Sequence, residues 1–220
     1  MKKIITLLLF LLIQFVTFSV YAKETCPNNQ IWYTSSDGNV ITPSSSDVFG
    51  ATITNNTYTD GKGIITFDGD VTSIGKNAFD GCSGLNSVEI PESVTSIGDY
   101  AFASCSGLTS VTIPNSVTNI GSNALYGTAW WNNQSDGIIY KDNCLLGCKG
   151  NNPTGSIDIL NGTRLIAGCA FWFCSDITSV TIHYSVTNIG EEAFYGCSKL
   201  ASVTIPNSVT DIGKKHSMVV

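Results

Sequence analysis

Charge is what this sequence has least of. Of its 220 residues 13% are charged, with 11 Lys and Arg against 17 Asp and Glu, for a formal net charge of -6. Soluble domains usually carry about a quarter charged residues. A chain so poor in Lys and Arg, and net negative, repels phosphate backbones, so nucleic acid is not an expected partner. Histidine is scarcer still: His183 and His216 are the only two. Neither has a ligand at finger-like spacing, so no metal is expected. There is no phosphate loop and no dinucleotide fingerprint, and no cofactor is expected. Ser and Asp are so common that chance Ser, His and Asp combinations mean nothing. His183 stands where other repeats have a turn proline, which reads as a surface histidine. Glu191 and Glu192 read as a solvated face rather than an acid/base pair. The sequence is not expected to be an enzyme.

Long apolar runs are missing too, except at the start. Lys2 and Lys3 form a positive region, and Ile4 to Phe18 is almost wholly apolar. Val20-Tyr21-Ala22 then offers a small-residue cleavage pattern, so residues 1–22 read as a signal peptide cut after Ala22. Its removal takes Lys2 and Lys3 with it and moves the formal charge from -6 to -8. No membrane span is expected afterwards. No Cys follows the apolar run at a lipoprotein-like position. The expected destination is extracellular or the cell surface.

Ser, Thr, Asn and Gly fill the charge deficit, and they recur with a period. VTSIGKNAFDGCSGLNSVEIPES spans 71–93 and VTSIGDYAFASCSGLTSVTIPNS spans 94–116. TRLIAGCAFWFCSDITSVTIHYS spans 163–185 and VTNIGEEAFYGCSKLASVTIPNS spans 186–208. Residues 117–162 between them are two periods long, begin in phase as VTNIGSNALYGTAWW and end in phase at Ile157 and Ile159. Stacked coils require that the count be kept even where the sequence diverges. Within a coil, Leu85, Val88 and Ile90 match the L-x-x-L-x-L strand pattern, with Ser87 and Glu89 on the wet side. Pro91 ends the strand. Val94 and Ile97 begin the return, Gly98 permits a sharp turn, and Ala101-Phe102 point inward from a short helical turn. Cys105 closes the coil. Phe79, Phe102, Phe171 and Phe194 then stack in phase.

The pattern SVTSIGxxAFxxCxxLxSVxIP resembles the BspA-like leucine-rich-repeat family of bacterial cell-surface and secreted proteins, over about 71–216. The general leucine-rich consensus places Asn or Cys after the strand, where this chain has Ser93, Ser116, Ser185 and Ser208. The Cys sits instead before the strand, at 82, 105, 174 and 197. The resemblance implies adhesion and contact with host extracellular proteins. The expected fold is an α/β solenoid, a leucine-rich repeat of 23-residue coils, mostly β with short helical turns and one parallel sheet.

Residues 23–70 lack the full repeat and are expected to form an N-terminal cap. Ile65 and Phe67 fall on inward strand positions, and CPNNQIWYTSSDGNVITP should form a hairpin turning at Asp37-Gly38. The solenoid proper is expected over 71–208, with a degenerate hairpin insert at about 129–152. In it GIIYKDNCLLGCKG reads as strand, turn, strand, projecting from the solenoid. Trp130, Trp131 and Tyr140 lie near its base. They either pack beneath the insert or form an exposed aromatic contact patch; Trp131, in the place of the strand Leu, should fill core. Residues 209–220 read as an incomplete last repeat, loosely held, with an open edge suited to self-association.

Eight cysteines in an exported chain raise the question of disulfides. In-phase neighbours such as Cys82 and Cys105 have parallel Cβ vectors, which holds the Cβ atoms too far apart, so they read as free thiols. The pairing state of Cys26, Cys144, Cys148 and Cys169 stays open. What remains for function is a surface. Ser110, Ser179 and Ser202, with Thr112, Thr181 and Thr204 two residues on, line up on the wet strand face. They either bind a ligand or keep a strand soluble. The leading expectation is an interaction protein that binds another protein through this sheet or the insert. The rivals are a self-assembling envelope protein and a glycan-binding module built on Trp130, Trp131 and Tyr140. If the phenylalanines stack, Phe102→Ala should cost roughly 3–5 kcal/mol through its cavity. A chemical denaturation midpoint unmoved by that substitution counts against stacking.

Overall fold

The computed structural model describes residues 25–214. The expected signal peptide, and the tail from 215 onward, lie outside the described residues. The coils carry strands β4 (Ser73–Ile74), β5 (Leu85–Glu89), β6 (Ser96–Ile97), β7 (Ser110–Val111) and β8 (Asn119–Ile120). A diverged coil holds the short helix Ala129–Asn132 (α1), β9 (Gly137–Lys141), β10 (Cys144–Lys149) and β11 (Gly155–Asp158). The last coils give β12 (Leu165–Ile166), β13 (Ile177–Thr181), β14 (Asn188–Ile189), β15 (Ser202–Thr204) and β16 (Asp211–Ile212). Before them stand β1 (Gln30–Ser35), β2 (Ile53–Thr59) and β3 (Lys62–Phe67).

The solenoid repeats every 23 residues: Ser87 pairs with Ser110, Ser96 with Asn119 and Ser179 with Ser202, all in parallel. Each coil, however, holds two strand segments where one was expected. The L-x-x-L-x-L strands form one side, and the short Ser-Ile segments of the return form a second parallel ladder, β4-β6-β8 and β10-β12-β14-β16. The reason lies in the backbone: the return segment is buried at Ile74, Ile97 and Ile120, and its amides must find partners. An identical coil one level away supplies them.

The Ala-Phe corner departs further from expectation. It is not helical but a ribbon of turns in which amides alternate. Ala78, Asp80 and Cys82 donate back within the coil, to Gly75, Asn77 and Phe79. Asn77, Phe79 and Gly81 donate forward, to the carbonyls of Asp99, Ala101 and Ala103 in the next coil. The next coil repeats this, from Tyr100, Phe102 and Ser104 to Ser122, Ala124 and Tyr126. The alternation depends on left-handed residues, with φ between 54° and 57° at Asn77, Tyr100, Asn123, Cys169 and Glu192. Such a conformation costs roughly 1–2 kcal/mol per residue. The forward hydrogen bond is what it gains.

The corner glycine acts differently from the sharp-turn role expected of it, because Gly98 does not have positive φ. A Cβ at Gly98 would lie 2.6 Å from the Lys76 nitrogen, and one at Gly121 would lie 2.4 Å from that of Asp99. This column is where backbones of successive coils touch. The serine column also has a defined task. Ser93, Ser116 and Ser208 donate their hydroxyls to the carbonyls of Val71, Val94 and Val186 at 2.7–2.8 Å. These serines bond coil to coil at the place where the general consensus has Asn.

The phenylalanines stack as expected, in two pairs. Phe79 and Phe102 have centroids 5.3 Å apart and planes 3° apart; Phe171 and Phe194, 5.4 Å and 6°. Between the pairs the core divides into two clusters, one ending near Leu146 and Leu165, the other gathered around Phe171 and Phe194. At the N-terminal end Phe49 packs on Phe79 at 5.8 Å and on Phe67 at 5.1 Å, so the first Phe layer is covered. Ile65 and Phe67 point inward as expected. The hairpin at Asp37-Gly38 does not form. Both edges of β1 are already taken, by β3 and by β5 in antiparallel pairing, so Val40-Ile41 has no edge to join. The hairpin of this region is β2–β3, turning at Asp60-Gly61.

The middle insert does not project. β9 and β10 pair as a hairpin, but Ile139, Cys144, Leu145 and Leu146 are buried, and β10 itself joins the return ladder beside β12. Its register is two residues off: Leu145 pairs with Ile166, 21 positions on rather than 23. By Ser156, opposite Ser179, the period is restored.

If coil contact at the glycine column is what limits spacing, Gly121→Ala should destabilise by about 1–3 kcal/mol through overpacking. Gly81→Ala, where a Cβ meets nothing within 4 Å but φ is +72°, should lose only the backbone cost of about 1–2 kcal/mol. Its corner spacing should be unchanged in a crystal structure, whereas Gly121→Ala should push the Asp99 backbone away. An unshifted backbone in Gly121→Ala contradicts the contact.

Candidate functional site

The wet strand positions do not form one continuous surface. The diverged coil interrupts them. After β7 the sheet stops: the Ile113 amide donates to the Asp142 carboxylate at 2.8 Å, and the Trp130 amide donates to the Leu108 carbonyl at 2.7 Å. Ser110 and Thr112 therefore belong to an N-terminal patch, and Ser179, Thr181, Ser202 and Thr204 to a C-terminal one.

The N-terminal patch is a groove. β1 lies against β5 so that Trp32 faces Glu89 and Thr34 faces Ser87. An open depression of about 500 Å³ results, lined by Trp32, Lys62, Ser87, Glu89, Ser110 and Thr112 among others. Its floor is hydroxyl-rich, with the Thr34 and Ser87 oxygens 2.6 Å apart. Its wall is a cation on an aromatic face: the Lys62 ammonium lies 3.1 Å from the Trp32 ring centre. The indole N–H is already engaged, donating to Gln30 Oε1 at 2.6 Å. One acid, one base and a row of hydroxyls suit polar contacts with a partner's backbone or side chains, with the buried Trp32 ring backing the Lys62 ammonium.

The C-terminal patch is flatter. Ser179 pairs with Ser202 and Thr181 with Thr204, and Ser156 joins them on the other side. Ser179 donates to Ser156 Oγ at 2.8 Å. His183 Nε2 lies 2.8 Å from Asp158 Oδ1, tying the end of β11 to the turn after β13.

Trp130, Trp131 and Tyr140 do not assemble into an exposed patch. Trp131 is buried in the N-terminal core cluster and is positioned by α1, whose cap Thr128 accepts from the Trp131 amide at 3.0 Å. Trp130 is partly buried against the same cluster, with the Lys141 ammonium 5.3 Å from its ring centre. Tyr140 packs on the other cluster, and its hydroxyl accepts from the Leu160 amide at 3.4 Å. Packing beneath the insert is what these rings do.

Sequence reasoning missed the groove walls and a second aromatic group. Trp32 and Lys62 come from segments far from the strand they flank, and no local pattern announces them. The second group lies on the Ala-Phe corner, where Trp172 and Phe173 are about half exposed, their rings 4.7 Å apart, with Tyr195 5.6 Å from Phe173. The run AFWFC held the clue: only Phe171 can point inward, so its two aromatic neighbours must face out.

Two cysteines of the column are chemically quiet. Cys105 and Cys197 donate their thiols to the carbonyls of Phe79 and Phe171, at 2.9 and 3.1 Å. Burial pushes their pKa values up to about 12 and about 11, so neither is a thiolate nucleophile at neutral pH. All eight cysteines are free. Among the described residues no group of three or more His, Cys, Asp or Glu is placed to hold a metal.

With these coils in view, comparison with known families gives a match over residues 51–135 and 140–216 to the BspA type leucine rich repeat region, in six copies. The chain belongs to the BspA type leucine rich repeat family. The matched segments meet at the β9 hairpin, where the repeat diverges. Among solved structures, a T. pallidum leucine rich repeat protein is 25% identical, with 67% of this chain and 70% of that one covered and a TM-score of 0.36. The pneumococcal vaccine antigen PcpA is 20% identical, covering 66% and 50%, at 0.36. A leucine rich cell surface protein from Faecalibacterium prausnitzii is 30% identical, covering 66% and 39%, at 0.32. This BspA type chain thus spans half or less of the length of the last two. Comparison with curated proteins finds no match. Among the described residues no helix is long and apolar enough to cross a membrane.

Proposed function

We propose that this is an exported, surface-exposed or secreted interaction protein that binds another protein through its sheet face, in an adhesive rather than catalytic role. The observation that carries this reading is the groove of about 500 Å³ between the cap and the first coils. It is the place where exposed hydroxyls and both signs of charge converge. Family membership favours a binding scaffold, and the apolar, Lys-led N-terminus favours export. The reading centred on the insert loses its footing because the insert is built into the core, and the glycan platform loses Trp131 to the same core.

The groove fits a partner of mixed polar character, since few charges steer it and hydroxyls can pair with many backbones. Ser110 and Thr112 form its floor and are exposed, so a large side chain there blocks the surface without touching the core. A panel of purified extracellular matrix and plasma proteins, screened by biolayer interferometry, tests the reading. A partner bound saturably by the wild type should bind at least tenfold more weakly to S110R/T112R. The same partner should bind S202R normally, and both variants should keep the wild-type melting temperature. No saturable binding across the panel, or binding indifferent to S110R/T112R, contradicts the groove as the binding face.

A further inference from the structure

In the regular coils a column thiol reaches the carbonyl of the phenylalanine 26 residues earlier, as Cys105 does with Phe79 and Cys197 with Phe171. For Cys174 the residue 26 positions earlier is not a phenylalanine but Cys148. The diverged coil has lost its Ala-Phe corner. β10 runs two residues out of register with β12 and regains the period only at β11, so the corner between them is two residues short. In its place stands a cavity of about 140 Å³, walled by Trp131, Gly147, Cys148, Ala170 and Cys174. Cys148 packs on the cluster that contains Cys174, and the two side chains line the same cavity.

We propose that Cys148 and Cys174 are a redox pair that closes to an intramolecular disulfide, clipping the end of β10 to the Ala-Phe corner of the next coil. The other column cysteines are unsuited to this. Cys105 and Cys197 have carbonyl partners, and Cys82 donates to the Thr42 carbonyl. Cys169 lines the same cavity but is held elsewhere, with its sulfur 3.0 Å from the Ser122 hydroxyl that donates to it. The neighbouring Cys148 lowers the Cys174 thiol below its ordinary value, against the burial that raises it. The neighbouring Cys174 and burial together raise the Cys148 thiol above its ordinary value.

The chemistry is thiol–disulfide exchange with a small-molecule or enzyme disulfide as oxidant. One protein thiolate attacks the oxidant's S–S bond, forming a mixed disulfide and releasing one thiol. The second protein thiolate attacks the protein sulfur of that mixed disulfide, forming the Cys148–Cys174 bond and releasing the second thiol. The two protein protons end on the two released thiols. The protein pair loses two electrons, and the oxidant gains them. The closed loop spans the 26 positions from 148 to 174 and crosses the place where the turn ribbon is broken, so the bond ties the stack where those backbone hydrogen bonds are missing. Its formation in the living cell rests on the export reading, because an oxidising compartment is needed; its formation in vitro does not, so the two can fail separately.

The test is to equilibrate the folded full chain with oxidised and reduced glutathione, block free thiols with iodoacetamide, and map peptides without reductant. The expected result is a single Cys148–Cys174 link, six alkylated cysteines, and a thermal midpoint raised on the order of 5–10 °C, which reductant reverses. C148S should abolish both the link and the rise, and C148A should do the same if serine perturbs folding. Eight alkylated cysteines, a lasting glutathione adduct without an internal link, or a link through Cys169 would each overturn the proposal.

Discussion

Everything in this molecule depends on backbone groups of one coil meeting those of the next in phase. Three ladders do this at once: the long strands, the short Ser-Ile return, and the turn ribbon of the Ala-Phe corner. Each needs the neighbouring coil to present the same group at the same height. The period of 23 is therefore imposed by hydrogen bonding, and the side chains follow it. Phe102 stacks on Phe79 because the Phe79 amide is bonded to the Ala101 carbonyl beside it. Glycine at 98 and 121 follows from the same constraint, since any Cβ there would strike the adjoining backbone. Serine at 93 and 116 satisfies a carbonyl one coil below. Hydrophobic burial, on the order of 1.5–3 kcal/mol for a Phe or Leu, then stabilises an arrangement that the ladders have already specified.

The diverged coil shows what happens when the constraint is relaxed. Its length is still two periods with its neighbour, so the coils after it return to phase at Ser156. Within it, the hairpin takes two residues more and the corner two fewer. The long-strand ladder breaks at β7, the return ladder breaks at β8, and the core divides there. The forward amides of Asn123 and Leu125, which in a regular coil would bond to the next corner, have no backbone partner among the described residues. The exposed hydroxyl face is split in two for the same reason, and the groove that remains is a product of β1, the β2–β3 hairpin and the first two coils.

Repetition made the coils legible. Phe79, Phe102, Phe171 and Phe194 repeat in phase, and their inward stacking could be read directly, as could the buried place of Trp131. The second ladder could not, because a Ser-Ile pair is too short to show alternation. The corner looked helical because Ala and Phe are adjacent and inward; the decisive features, left-handed backbone at Asn77 and Tyr100, leave no common side-chain signature. The segment before the first coil was the least legible part. Asp37-Gly38 is a good local turn, but β1 found its partners at 62–67 and 85–89, and long-range pairing has no trace in a local pattern. The groove inherits that opacity, since Ser110 and Thr112 were visible and Trp32 and Lys62 were not.

The forward hydrogen bonds of the corner hold coil to coil, and native-state amide hydrogen exchange followed by NMR reads them one at a time. The amides of Phe79, Phe102 and Phe171 should exchange at least about a hundredfold more slowly than those of Asn123 and Leu125, which occupy equivalent corner positions but have no backbone partner among the described residues. Equal exchange rates at Phe102 and Leu125 would mean that side chains alone hold the coils together, and would contradict a period set by backbone hydrogen bonding.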